Sequence, residues 1–136
     1  MSGMLARILA PTVEVSAHCD LPCGVYDPAQ ARIEAESIKA IIAKVADNDD
    51  PDFRTRAVII KEQRSELVKH HLWVLWTDYF KPPHFEKYPQ LHTLFNEATK
   101  LAGASGTKGV LDAEVADQLL SKIDEIDKIF EETKAA

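Results

Sequence analysis

Between Asp52 and Lys81 the chain contains neither glycine nor proline. Nothing else in the sequence restricts the fold as strongly. A helix from near Pro51 to Tyr79, rising 1.5 Å per residue, is a rod of roughly 40 Å. Val58, Leu67, Val74 and Leu75 lie on its expected core-facing stripe. Lys81-Pro82-Pro83 stops it, because proline has no N–H to donate and restricts the residue before it. A rod of that length needs other helices beside it to cover its apolar side.

The flanking sequence supplies them. Asp27-Pro28-Ala29-Gln30 reads as an N-cap, a proline at the first helical position and a glutamine three residues after the cap. The spacing predicts a helix from about Pro28 to Ala46, with Ile33, Ile38, Ile41, Ile42 and Val45 mostly inward, ended by Asp47-Asn48-Asp49-Asp50-Pro51. A proline-punctuated connection is expected through His84 to Pro89. A third helix starts near Pro89 and ends before Gly103, with Leu91, Leu94, Phe95, Ala98 and Leu101 apolar. Gly103 to Gly109 reads as a loop of small residues, and a fourth helix starts near Asp112 with Val115, Leu119, Ile123, Ile126 and Phe130. No strand pattern, repeat or low-complexity tract appears. Four amphipathic helices on short connections predict an all-α fold, an antiparallel four-helix bundle over residues 27–136. Trp73 and Trp76, at helical spacing, are expected in the core or at a subunit interface. His70 and His71 are consecutive and diverge on a helix, and His84 and His92 flank Pro89, so all four read as structural or surface residues.

At 136 residues the chain suits a single domain. Its 22 acidic and 16 basic residues leave a net charge of −6, which argues against nucleic acid and anionic membranes as partners. No apolar run approaches membrane-spanning length. Val15-Ser16-Ala17 is a small, uncharged run suited to proteolysis. A secretory signal needs ~7–15 consecutive apolar residues, but Pro11 and Glu14 interrupt this one. Residues 1–17 therefore read as a prosegment removed by a maturation protease cutting after Ala17, and the protein as cytoplasmic.

Cleavage there changes the chemistry of the segment that begins at His18. Residues 18–26 form a candidate metal-binding hook around His18-Cys19-Asp20-Leu21-Pro22-Cys23, which holds both cysteines of the chain. A free His18 presents its α-amine and imidazole. The amine, the Cys19 amide nitrogen and the Cys19 thiolate close two fused five-membered chelate rings, and Cys23 adds a second thiolate if Pro22 turns the chain back. Two nitrogens and two sulfurs in a plane favour nickel(II) or copper(II), whereas zinc prefers a tetrahedron. By itself a C-x-x-x-C pair is weak evidence for a metal, since a disulfide or two inert thiols in a turn would give the same spacing.

The run from His18 through Tyr26-Asp27-Pro28 resembles the nickel-binding hook of the nickel superoxide dismutases. The likeness continues through Ala29-Gln30-Ala31-Arg32-Ile33-Glu34-Ala35-Glu36, Lys61-Glu62-Gln63-Arg64, Asp78-Tyr79-Phe80-Lys81-Pro82-Pro83-His84-Phe85-Glu86-Lys87-Tyr88-Pro89 and Ile126-Asp127-Lys128-Ile129-Phe130. It spans essentially His18 to Lys134 and is faintest from Thr99 to Val115. The resemblance implies dismutation of superoxide to dioxygen and hydrogen peroxide by Ni(III)/Ni(II) cycling, with one nickel ion per subunit and a homohexamer of bundles. It implies His18, Cys19 and Cys23 as metal ligands, Glu34 accepting from the His18 ring with Arg64 fixing Glu34, and Tyr26 and Tyr79 lining the approach. Asp20 is expected to order the hook. Because the substrate is an anion and the protein is acidic, a local positive field is required, with Arg64, Lys81 and Lys87 as candidates. The alternatives are a non-catalytic nickel- or copper-binding helical protein and a helical interaction module with an incidental thiol pair.

Overall fold

The computed structural model describes residues 25–135. The prosegment, His18, Cys19, Asp20 and Cys23 lie outside the described residues. Helix α1 spans Ala29–Ala46 and α2 Pro51–Val74, the latter running on as a π-helical turn over Leu75–Tyr79. A short α3 (Pro82–Lys87), then α4 (Leu91–Leu101) and α5 (Ala113–Ala135) complete the fold, with no strand among the described residues.

Local chemistry sets these boundaries. The Asp27 carboxylate accepts the Ala29 N–H at 2.9 Å, and Pro28 already has helical dihedrals. Asp50 caps α2 through the Asp52 N–H, with Pro51 at the first position. Asp112 accepts the Glu114 N–H at 2.9 Å at the head of α5. The connection expected to be irregular from His84 is instead partly helical. Pro82 and Pro83 occupy the first turn of α3, where a missing N–H leaves no bond unmade, and His84 Nδ1 accepts the Lys81 N–H at 3.0 Å.

Cross-links fix the directions. Glu34 meets Arg64 while Val45 O meets Arg54, so α1 and α2 are antiparallel. Arg32 meets Asp124 and Asp127 while Lys39 meets Asp117, so α1 and α5 are antiparallel too. Glu97–Lys122 and Tyr88–Glu132 give the same sense for α4 and α5, and α4 also packs on α2. The four long helices therefore form the expected antiparallel bundle around Ile38, Ile42, Val68, Leu72, Phe95, Leu119, Ile123 and Ile126.

Two stripes differ from expectation. On α1 the buried face runs Ala31, Ala35, Ile38, Ile42, Val45, and Ile33 is 60% exposed. Small alanines let the neighbouring helices approach, and hydrophobicity alone does not favour them over an isoleucine two residues away. On α2 the buried face runs Ala57, Lys61, Ser65, Val68, Leu72, Leu75, whereas Val58 and Leu67 are only half-buried. Two polar residues on the inner face disguise its period. They bind the loop after α4: Lys61 Nζ donates to the Thr107 and Val110 carbonyls, and Ser65 shares a hydrogen bond with Thr107. That loop turns so tightly that a Cβ at Gly106 would lie 1.9 Å from the Leu101 carbonyl oxygen.

Candidate metal centre and its supporting side chains

Antiparallel packing of α1 on α2 brings Glu34 and Arg64 together. Arg64 Nη1 donates to both Glu34 oxygens, at 3.0 and 3.3 Å. Glu34 is 15% exposed and Arg64 37%, so the guanidinium shields the carboxylate while keeping contact with solvent. An acid anchored this way on two rigid helices presents a fixed acceptor to any imidazole brought against it.

A second pair forms at the end of the bundle where the chain enters α1. The rings of Tyr26 and Tyr79 lie 5.6 Å apart at 59°. The π turn places Tyr79: the Phe80 N–H reaches back five residues to the Leu75 carbonyl at 3.0 Å. One extra residue in that turn rotates Tyr79 and Phe80 toward the core relative to an α-helical continuation, a distortion often found at functional sites. The Tyr79 ring packs on Phe130 at 4.5 Å, on Phe80 at 4.9 Å and flat against His84 at 5.9 Å. Its hydroxyl lies 2.7 Å from Thr133 Oγ1. Glu34 sits six residues beyond Pro28, about 9 Å further along α1. The four expected supporting residues thus form two pairs, Glu34–Arg64 in the groove between α1 and α2 and Tyr26–Tyr79 at the end of the bundle.

Lys81 does not reach into the groove. Its ammonium donates to the Asp78 carbonyl at 3.1 Å, closing the end of the π turn. Lys87 lies over the Tyr88 ring on the surface. That leaves Arg64 as the candidate cation placed at the pairs. The remaining histidines have local roles: His84 binds the Lys81 N–H, and His92 accepts from Trp76 Nε1 at 3.2 Å while stacking on Phe85. Trp73 and Trp76 are 44% and 41% exposed, so of the two settings expected for them, core or subunit interface, the core is excluded. Thr133 and the buried Lys61 are the structural partners that sequence reasoning missed. Lys61 carried a signal, standing at the inward position of the 57/61/65/68/72/75 stripe.

Among the described residues no group of three or more histidine, cysteine, aspartate or glutamate side chains is arranged to hold a metal, and both cysteines precede them. Were the chain cut after Ala17, His18, Cys19 and Cys23 would offer amine and amide nitrogens and soft thiolates, a donor chemistry that suits nickel. The described structure adds one anchored acceptor for an imidazole, Glu34.

Comparison with known proteins identifies the family. The family model for nickel-containing superoxide dismutase matches residues 13–134. The chain is 65% identical to the protein named Superoxide dismutase [Ni] of Streptomyces coelicolor over 133 residues, covering 98% of this chain and all of that one. The Streptomyces seoulensis protein of the same name matches with the same identity and coverage. Among solved structures, native nickel superoxide dismutase superposes with a TM-score of 0.84 at 65% identity, covering 88% of this chain and 100% of the other. A nickel-containing superoxide dismutase with oxidised-state nickel ligation gives 0.83 at 66% identity with the same coverage.

Proposed function

This chain belongs to the nickel-containing superoxide dismutase family, and from that premise we propose how its residues convert superoxide to dioxygen and hydrogen peroxide. His18, through its freed α-amine and imidazole, Cys19, through its amide nitrogen and thiolate, and Cys23, through its thiolate, hold one nickel ion per subunit. A nickel ion held there would supply the one-electron Ni(III)/Ni(II) chemistry by which one superoxide is oxidised and a second is reduced with two protons.

The rest falls to the bundle. Glu34 accepts from the His18 ring and orients it, and the two hydrogen bonds from Arg64 hold Glu34 in place. The half-exposed guanidinium supplies local positive charge for an anionic substrate on a protein of net charge −6. Tyr26 and Tyr79 narrow the approach to a width suited to a diatomic. The observation that carries this placement is the Tyr26–Tyr79 contact at the end of the bundle that the donor segment joins. Cys23 stands three positions before Tyr26, with only Gly24 and Val25 between them, so the backbone cannot carry Cys23 more than about 11 Å away from it.

Maturation is part of the proposal. A protease cuts after Ala17, and the α-amine so released is a donor that the uncut chain lacks. The solved relatives are fully matched by 88% of this chain's 136 residues, close to the length left once residues 1–17 are gone. The mature enzyme is proposed to be a cytoplasmic homohexamer. Trp73 and Trp76, exposed beside His92 and Phe95 around a groove of about 380 Å³, offer apolar surface for subunit contact. No described helix is long and apolar enough to cross a membrane.

The test pairs elemental analysis with N-terminal sequencing of active protein from its native host. The expected result is one nickel per chain and a terminus at His18, with dismutase activity lost on nickel removal and absent from uncleaved protein. Activity independent of nickel, or undiminished with residues 1–17 in place, overturns the mechanism. Tight nickel or copper binding without turnover would favour the non-catalytic metal-binding alternative.

A further inference from the structure

We propose that Thr133, on the last turn of α5, positions Tyr79 and sets its phenol as a hydrogen-bond acceptor toward the metal hook; this rests on the reading that Tyr79 lines the approach. The direction of the hydrogen bonds follows from proton counting. Thr133 Oγ1 lies 2.7 Å from the Phe130 carbonyl, which can only accept, so the single threonine proton is spent there. Tyr79 lies 2.7 Å from the same Oγ1 and must therefore be the donor. Its one proton points into α5, and only oxygen lone pairs remain for the other side.

The ring has little freedom to undo this. Phe130 and Thr133 hold it from α5, His84 lies flat against it from α3, and Phe80 and Tyr26 flank it. The π turn ties its backbone to the end of α2. A phenol held in this way accepts from a water or an N–H at the hook and cannot donate to an incoming anion. Superoxide is itself an acceptor, so Tyr79 orders donors around it instead of binding it directly. The protons needed for hydrogen peroxide must then come from another group or from water.

Thr133→Val removes the hydroxyl and keeps the shape, and Thr133→Ala serves if the valine variant fails to fold, with far-UV circular dichroism checking helicity. Thr133→Ser restores the acceptor. The first readout is the tyrosine doublet in ultraviolet resonance Raman spectra of the metal-free full chain, whose intensity ratio separates phenol donors from acceptors. Thr133→Val should move the doublet away from the donor pattern, and Thr133→Ser should leave it as in the parent. In the cleaved, nickel-loaded enzyme Thr133→Val should slow dismutation about five-fold, the worth of one hydrogen bond. Thr133→Ser should restore the rate, and Thr133→Val should add nothing to Tyr79→Phe. An unchanged doublet, or a parental rate in Thr133→Val beside a slow Tyr79→Phe, overturns the proposal. A fully active Tyr79→Phe overturns the reading of Tyr79 and this proposal with it, and is recognised because Thr133→Val would still shift the doublet.

Discussion

Replacing Lys61 by methionine tests how much one buried cation contributes to this bundle. The Lys61 side chain is fully buried on the inner face of α2. Its ammonium donates to the carbonyls of Thr107 and Val110 and to Glu62 Oε1, the last two at 2.8 Å. Methionine keeps the length and packing of the stem and removes the three bonds. Each hydrogen bond to a charged group contributes about 1.5–3 kcal/mol, but the ammonium also gives up a desolvation penalty of several kcal/mol, so most of the gross loss cancels. What remains is a stranded acceptor. Thr107 is buried, and leaving its carbonyl without a donor costs about 1–3 kcal/mol. Val110 is exposed and its surroundings can rehydrate, while Glu62 keeps the Gly109 N–H at 2.6 Å. The expected net loss is about 2 kcal/mol, which at a slope of about 1.5 kcal/mol per molar lowers the urea midpoint by about 1.3 M. Amide exchange should accelerate first at Thr107 and Gly109, whose loop the ammonium ties to α2. A midpoint equal to or above the parent's would refute the reasoning: the desolvation penalty would then outweigh the bonds, as it does for some buried ion pairs.

The same cluster sets an acid dependence. Burial works against the charged form of Glu62, but hydrogen bonds from Lys61 and the Gly109 N–H, with the charges of Lys61 and Lys108, hold its carboxyl below the ordinary value of 4.5. A carboxylate depressed on folding adds stability above its unfolded value, and that stability fades as pH falls through the folded one. The gap between parent and Lys61→Met should therefore narrow in urea titrations as the pH is taken progressively below the ordinary value of 4.5; a constant gap would count against it. At the proposed metal centre, Cys19→Ser and Cys23→Ser should each abolish nickel retention and activity, read by elemental analysis and superoxide decay, and an active Cys23→Ser would contradict two-thiolate ligation. Glu34→Gln and Arg64→Ala should each lower activity about ten-fold or more, the usual effect of losing a ligand's supporting partner. A double-mutant cycle should find them coupled, because Arg64 is proposed to act through Glu34; additive losses would separate their roles.

The helices were legible because their limits are written in local chemistry. Asp27, Asp50 and Asp112 mark starts through side-chain bonds to nearby N–H groups, and the glycine-rich stretch after Leu101 marks an end. The supporting residues Glu34, Arg64, Tyr26 and Tyr79 were reached by resemblance, and packing then brought them together as two pairs. Inner faces were harder to read. Ile33 looked inward by hydrophobicity and is exposed, while the polar Lys61 and Ser65, absent from the expected apolar stripe, are buried. Trp73 and Trp76 have the spacing of core residues and stand on the surface. In each case a side chain's own preference gave way to what the neighbouring element offered: close contact at alanines, or loop carbonyls that needed a donor.

The order of the residues alone settled the all-helical class and the sites of the breaks, because caps and prolines act across a few bonds. Tertiary packing decided which polar groups face inward, that a π turn sets Tyr79 beside Tyr26, and that Arg64 pairs with Glu34 and Thr133 with Tyr79. Those partners lie 30 to 54 residues apart in the chain. No local rule links them, and only the antiparallel stacking of α1, α2 and α5 brings them within reach of one another.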